Sequence, residues 1–213
     1  FELASATVGS FYGSGEGREL TLEEMVEVMA GARVVLLGEE HTSMDQKLVQ
    51  ARVLDGLAQK VPALVLGMEF FERGDADALA RWTRGELDAE ALLRATDWYG
   101  RGSSRFEYYR PVMDVARRRG MKVVGLNVPR EIPRAVNRGG LESLTDEQRR
   151  EVGPVDTGGS PQHRYLVSRY FGDTVAEMPT GWLDNMYAAQ CLWDVAMARS
   201  ILADLGEEET LVV

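Results

Sequence analysis

Three short apolar runs, each ending on a group of polar residues, constrain the fold of this chain more than any other feature. They span residues 33–41, 63–73 and 122–131. The runs are continuous and rich in Val and Leu, which is typical of strands buried on both faces. Helical patterns lie between them, so the strands are predicted to be parallel. We therefore predict an α/β fold in which a mainly parallel sheet is flanked by helices.

The polar residues at the ends of these runs predict a binding site. In open parallel sheets, ligands bind beyond the carboxyl ends of the strands. One such group would simply end a buried strand, but three at the same edge of the sheet favour a site. Together, the three groups contain Glu39, Glu40, His41, Glu69, Glu72, Asn127 and Arg130.

The remaining pattern indicates a single domain over residues 1–213. Residues 1–19 read as loose, with a short edge strand near Thr7 and Val8, and helices are expected at about 20–31, 43–60, 75–97, 106–119 and 183–205. Residues 130–182 are rich in Gly and Pro and follow the third strand. Their position predicts a helical lid or subdomain over the site, the alternative being an irregular helical decoration.

Composition excludes several classes of function. The formal net charge is −10 and no basic stripe is present, which argues against nucleic-acid binding. No apolar run is long enough to span a membrane. Cys191 is the only cysteine, so no disulfide can form within the chain, and a lone thiol in an apolar stretch is typical of a buried small side chain.

The last predicted helix is apolar almost all round, yet it carries one polar stripe. Tyr187, Gln190 and Asp194 stand at i, i+3 and i+7 and share a face. Leaving a buried polar side chain without a partner costs about 1–3 kcal/mol. The stripe must therefore face water, a polar network in the core, or a ligand.

Glu39 and His41 form the clearest chemical pair. Side chains at i and i+2 of an extended segment point the same way, so the two can act as base and orienter, or as metal ligands together with Glu69. His41 and His163 are the only histidines, which excludes a three-histidine zinc site. Dinucleotide-binding, Walker and serine-hydrolase motifs are absent from the sequence.

Several segments together resemble the ChaN-like haem-binding family, within the wider erythromycin-esterase and Tiki group. They are Gly-Glu-Glu-His at 38–41 with Asp45-Gln46, the strand at 66–71, residues 125–130, and the helix at 186–198 with its Tyr-x-x-Gln-x-x-x-Asp-x-x-Met-Ala pattern. The likeness extends from about residue 18 to 213. It implies an iron-regulated protein of the bacterial cell envelope, often a lipoprotein, with haem at a dimer interface and a tyrosine on the iron.

Residue by residue, the resemblance points to Tyr187 as the tyrosine that ligates haem iron. Tyrosine phenolate is a known ligand of haem iron. Gln190 and Asp194 share its stripe, and Trp182 and Met186 are the expected apolar contacts of the macrocycle. The other candidates are Tyr99, Tyr108, Tyr109, Tyr165 and Tyr170.

The resemblance also sets expectations about the ends of the chain. Family members carry a second Gly-x-x-His element after the final strand, and here that element would begin beyond Val213. Both ends look trimmed, which is compatible with the export signal or lipid anchor that the resemblance implies upstream of Phe1.

Three functions follow from these patterns. The favoured one is a haem-binding protein without catalysis, acting in haem or iron uptake, with a homodimer as its expected assembly. The alternative is a hydrolase that uses Glu39, His41 and Glu69, with or without a divalent metal. The third is a binding or scaffold domain in which these side chains satisfy one another.

Overall fold

The computed structural model describes residues 9–103, 105–172, 178–207 and 209–213, and of Phe171 only the backbone. The short strand expected near Thr7 and Val8 lies outside these ranges. Residues 1–19 were expected to be loose and Leu20 to begin a helix, but residues 11–20 form an antiparallel hairpin of β1 (Phe11–Gly13) and β2 (Arg18–Leu20). These strands have three residues each and no apolar run, which is why pattern alone missed them.

Among the described residues, the main sheet has four strands, β3 (Val34–Val35), β4 (Leu64–Glu72), β5 (Lys122–Asn127) and β6 (Thr210–Val212), in the order β3-β6-β4-β5. The last strand in the chain is thus inserted between the first two. It runs parallel to both, with Leu211 opposite Val34 on one side and opposite Val65 on the other. The predicted α/β fold with a mainly parallel sheet is confirmed.

Helices connect and cover these strands. Those at 22–30, 44–60 and 182–204 agree with the expected bounds, whereas the helical stretch expected at 75–97 is two separate helices. The helices are α1 (Leu22–Ala30), α2 (Met44–Lys60), α3 (Ala76–Thr83), α4 (Ala89–Ala95), α5 (Arg110–Arg119), α6 (Glu131–Gly139), α7 (Asp146–Val152), α8 (Pro161–Phe171) and α9 (Trp182–Asp204). Thr21 caps α1 through a reciprocal pair of hydrogen bonds with Glu24. Gly120 ends α5 in the left-handed conformation, with φ of 64°.

Two strand ends differ from the prediction. The first apolar run, at residues 33–41, forms regular strand only at Val34 and Val35. The second strand was expected to end at Glu69 and instead continues to Glu72. Glu69 therefore lies within β4 rather than beyond its end.

The chain divides into two compact units. The first contains the described residues up to Gly67, Ala78–Val123 and Leu205–Val213; the second contains Met68–Asp77 and Val124–Asp204. In the first unit, the rings of Trp82, Trp98, Phe106 and Tyr109 pack edge to face with one another. Leucines of α2, α3 and α4 are fully buried in the same unit.

The second unit has its own core around α9. The side chains in this core are Val128, Ile132, Val136, Leu144, Val152, Ala188, Ala189, Leu192 and Ala196. Three alanines on one face of α9 allow close packing of the helices against it. Residues 131–171 do form helices, as expected, but their role as a lid stays a prediction. No described helix is long and apolar enough to cross a membrane.

Candidate functional site

The segment after β3 brings Glu39 and His41 together. Oε1 of Glu39 lies 2.9 Å from Nδ1 of His41, and the His41 side chain is 53% exposed. Two side chains of α2 fix the backbone of this segment. Gln46 Oε1 accepts a hydrogen bond from the backbone N–H of Glu40 at 2.5 Å, and Gln50 Nε2 donates to the carbonyl of Leu37 at 2.8 Å. An oriented imidazole facing solvent is suited to proton transfer.

Lys47 is a member of this site that sequence reasoning missed. Its side chain is only 1% exposed, and its ammonium is paired with Oε2 of Glu39. The same Nζ lies 4.1 Å from the centroid of the Tyr109 ring. Lys47 stands at i, i+4 and i+7 with Ala51 and Leu54, both buried on α2. This spacing was the available signal that the lysine faces inward.

In the second unit, the end of β4 is tied to the end of β5. Asn127 Nδ2 donates to the carbonyl of Glu69 at 3.2 Å, and the backbone N–H of Arg130 donates to Glu72 Oε1 at 3.2 Å. The carboxylate of Glu69 itself is exposed. Burial, together with the positive charge of Arg134, lowers the pKa of Arg130.

Glu69 belongs to the second unit, whereas Glu39 and His41 belong to the first. Their convergence on one cavity therefore stays a prediction. Across the part of the chain that the structure describes, no three His, Cys, Asp or Glu side chains form a group that could hold a metal ion.

The polar stripe of α9 faces the start of α8. Tyr187 is 2% exposed, and its hydroxyl lies 3.4 Å both from the carbonyl oxygen of Ser160 and from Nδ1 of His163. On the other side of the imidazole, Nε2 lies 3.4 Å from Oδ2 of Asp194. Gln190 Nε2 donates to the second oxygen of Asp194 at 2.9 Å. A polar network thus surrounds Tyr187.

Arg164 of α8 completes this contact between the two helices. Its guanidinium carbon lies 5.2 Å from the centroid of the Tyr187 ring, and it forms an ion pair with Asp184 of α9. Burial, reinforced by a hydrogen bond with the Cys191 thiol, raises the pKa of Tyr187 above its usual value. Burial likewise raises the pKa of Cys191. The phenol and the thiol are therefore both held in their protonated forms.

The remaining candidates lie elsewhere. Trp182 and Met186 are half-buried on α9, and Met186 is turned about 100° around the helix from Tyr187. Tyr109 is buried beside Lys47. Tyr99, Tyr165 and Tyr170 are exposed, and Tyr108 lies in the helical turn Phe106–Tyr108. Sequence reasoning used His163 only in counting histidines, and no local pattern links it to a residue 24 positions away.

Comparison with known proteins identifies the family. The sequence matches the family described as "Haem-binding uptake, Tiki superfamily, ChaN" over residues 25–213. The chain belongs to the ChaN family. The matched range includes the Glu39–His41 segment, both strand ends of the second unit, and Tyr187.

A solved structure of ChaN from Campylobacter jejuni, described as showing cofacial haem binding, has the same fold as this ChaN-family chain. The TM-score is 0.73 at 15% sequence identity, over 97% of this chain and 80% of that one. The type III effector HopBA1 gives a TM-score of 0.46 at 15% identity, over 90% of this chain and 70% of that chain. No curated protein matches the sequence significantly.

Proposed function

We propose that this ChaN-family chain binds haem in bacterial haem or iron uptake, with a tyrosine on the iron. The observation that carries the proposal is the match to a haem-binding uptake family over residues 25–213. A place in the cell envelope, a lipid anchor and a homodimer belong to the same proposal. They are supported by the family resemblance alone.

Tyr187 is the tyrosine that we propose as the iron ligand. A phenolate oxygen is a good ligand for ferric haem iron, and Tyr187 stands in the matching segment of the family pattern. Its hydroxyl already faces an imidazole that can accept the phenol proton. Asp194 and Gln190 hold that imidazole in place, and Trp182 and Met186 are the proposed apolar contacts of the porphyrin.

The donor groups of this site suit haem iron, but burial of Tyr187 restricts access to its hydroxyl. Tyr187 is almost fully buried, with the first turn of α8 over its hydroxyl. Ligation by Tyr187 therefore requires that turn to move. The exposed Tyr165 and Tyr170 on the outer face of α8 are the competing ligands.

Haemin titration of the full-length protein tests this proposal. The wild-type protein should give the absorption spectrum of tyrosinate-ligated ferric haem. Tyr187→Phe should abolish that spectrum, and the control Tyr165→Phe should retain it. An unchanged spectrum in Tyr187→Phe would remove this residue as the ligand, and a lack of haem binding by the wild-type protein would reject the function itself.

A hydrolase remains the second candidate, because Glu39 lies 2.9 Å from His41 in a pose that orients the imidazole. The Lys47 ammonium occupies the other oxygen of Glu39, the position a divalent metal would take, which favours a metal-free form of this chemistry. Glu69 is the third proposed member. Turnover of an ester or peptide that His41→Ala and Glu39→Gln both abolish would support this function.

A further inference from the structure

Helix α8 is attached to its unit in an unusual way. None of its described side chains is buried, and Tyr165 and Leu166 are 63% and 66% exposed. Most helices in proteins are stabilised by packing an apolar face against the core. The side chains of Tyr165, Leu166 and Tyr170 on α8 face outward, so hydrophobic burial of these three contributes little to its attachment.

The inner face of α8 is polar. Ser160, His163 and Arg164 lie at i, i+3 and i+4, and they contact one face of α9 that carries Asp184, Tyr187 and Asp194. The two contacts to the Tyr187 hydroxyl and the His163–Asp194 contact are all 3.4 Å long, which is beyond the usual range of strong hydrogen bonds. The Arg164–Asp184 pair is exposed, and an exposed pair contributes no more than about 1 kcal/mol to stability.

The α9 side chains beneath this weak contact between α8 and α9 differ chemically from the core of the second unit. Tyr187 and Cys191 are buried, yet neither belongs to the apolar cluster formed by the opposite face of α9. They are one helical turn apart, on the face of α9 that also carries Asp184 and Asp194. Glycines flank α8 on both sides, Gly158 and Gly159 before it and Gly172, with φ of 58°, after it. These positions allow large backbone rotations.

We propose that α8 is a displaceable cover over Tyr187 and Cys191, which opens while the rest of the second unit stays folded. Elements with few buried apolar contacts open locally at a free energy well below that of global unfolding. The purpose of the opening, access of haem to Tyr187, rests on the proposed function. The opening itself does not.

The single cysteine of the chain reports this opening directly. Iodoacetamide alkylates Cys191 only when the thiol is accessible, so the labelling rate of the haem-free protein measures how often α8 opens. Arg164→Gln removes the ion pair with Asp184 and the contact with the Tyr187 ring. Labelling of this variant should be roughly five- to tenfold faster than that of the wild type at the same pH. Arg169→Gln removes the same charge from the exposed face of α8 and should leave the rate unchanged.

The dependence on urea separates local from global opening. Opening of α8 exposes little surface, so the labelling rate should rise only weakly with low concentrations of urea. Equal rates in Arg164→Gln and Arg169→Gln, with the steep urea dependence of global unfolding, would overturn the proposal.

Haemin binding kinetics separate the cover from the function. If α8 limits access, the observed rate should saturate with haemin concentration, and the plateau should rise in Arg164→Gln by the same factor as the labelling rate. Fast labelling without any haem binding would keep the cover and reject the proposed function. Haem binding to Tyr187 at a rate that is linear in haemin and equal in both variants would reject the cover.

Discussion

The hydroxyl of Tyr187 on α9 lies 3.4 Å from Nδ1 of His163 on α8, and the far nitrogen of the same ring lies 3.4 Å from Asp194. A carboxylate beside Nε2 favours the tautomer that carries its proton there, which leaves Nδ1 as an acceptor. The phenol therefore faces a lone pair rather than another donor. This arrangement compensates Tyr187 for the water that it loses on burial.

The raised pKa of Tyr187 predicts a loss of stability at high pH. Because burial raises the pKa of the phenol in the folded state, the folded protein holds this proton more tightly than the unfolded chain does. The contribution is complete below the unfolded value of about 10 and is lost as the pH rises through the folded value. The free energy of unfolding of the wild type should therefore fall more steeply in this range than that of Tyr187→Phe.

Urea denaturation at a series of alkaline pH values measures this difference. Tyr165→Phe serves as the control, because Tyr165 is exposed. Its free energy of unfolding should fall with rising pH in the same way as that of the wild type. Parallel pH profiles for the wild type and Tyr187→Phe would show that the phenol titrates alike in the folded and unfolded chains.

Local features of the fold were predictable from the sequence because their causes act within a few residues. The Thr21–Glu24 capping box and the left-handed Gly120 each depend on residues at most four positions apart. The insertion of β6 between β3 and β4 does not. It depends on pairing Val34 with Leu211, and no pattern within either strand encodes that partner.

The candidate site likewise contains local contacts that the sequence predicts and distant contacts that it does not. The contact between Glu39 and His41 was predictable because their spacing is i, i+2 and only one residue separates them. The two residues that complete these networks, Lys47 and His163, are brought in by packing of helices. For Lys47 the helical spacing with Ala51 and Leu54 carries a signal, but lysine is almost never fully buried, so its residue type argues against an inward position.

The ion pair between Lys47 and Glu39 should behave as a buried pair. Lys47→Met keeps the apolar stem but leaves the Glu39 carboxylate, which is 12% exposed, without its cation. Breaking a buried pair in this way costs about 3–5 kcal/mol of unfolding free energy. The double variant Glu39→Gln, Lys47→Met should lose much less than the sum of the two single variants.

A double-mutant cycle measured by urea denaturation checks this prediction. Lys60→Met is the matched control, because Lys60 lies on the same helix and pairs with Glu27 at the surface. Its unfolding midpoint should stay close to that of the wild type. Strict additivity of the Glu39 and Lys47 variants would mean that the pair is not coupled.

Asp55 should contribute to stability at neutral pH and lose this contribution in acid. The hydrogen bonds from Arg119 to its carboxylate, at 2.9 and 3.0 Å, lower the pKa of Asp55. A lowered pKa means that the stabilisation is complete above the unfolded value of about 3.9 and is lost as the pH falls through the folded value. Asp55→Asn should therefore lower the unfolding midpoint at neutral pH, and the difference should shrink below about pH 4.

Thermal denaturation across this acid range measures the effect. Glu207→Gln is the control, because that carboxylate is exposed and makes no hydrogen bond or ion pair with the described residues. A midpoint difference between wild type and Asp55→Asn that stays constant down to the lowest pH would contradict the assignment to Asp55.

Gly125 on β5 should tolerate no side chain. A Cβ at this position would lie 2.2 Å from the carbonyl oxygen of Glu72 on β4, and a backbone atom cannot rotate out of the way as a side chain can. Gly125→Ala should therefore lower the unfolding free energy by about 3 kcal/mol, through separation of the two strand ends. Gly38 is the matched control, because a Cβ there meets no atom within 4 Å.

The consequence of Gly125→Ala for the site is also measurable. Glu72 binds the backbone N–H of Arg130 at the start of α6, so a displaced β4 end should weaken that contact and expose the amide. Hydrogen exchange at Arg130 should speed up in Gly125→Ala and stay unchanged in Gly38→Ala, even under conditions where both proteins are fully folded. Equal exchange at Arg130 in both variants would show that the end of β4 absorbs the extra methyl group without moving Glu72. The close approach of the two strands would then have no role in positioning this edge of the sheet.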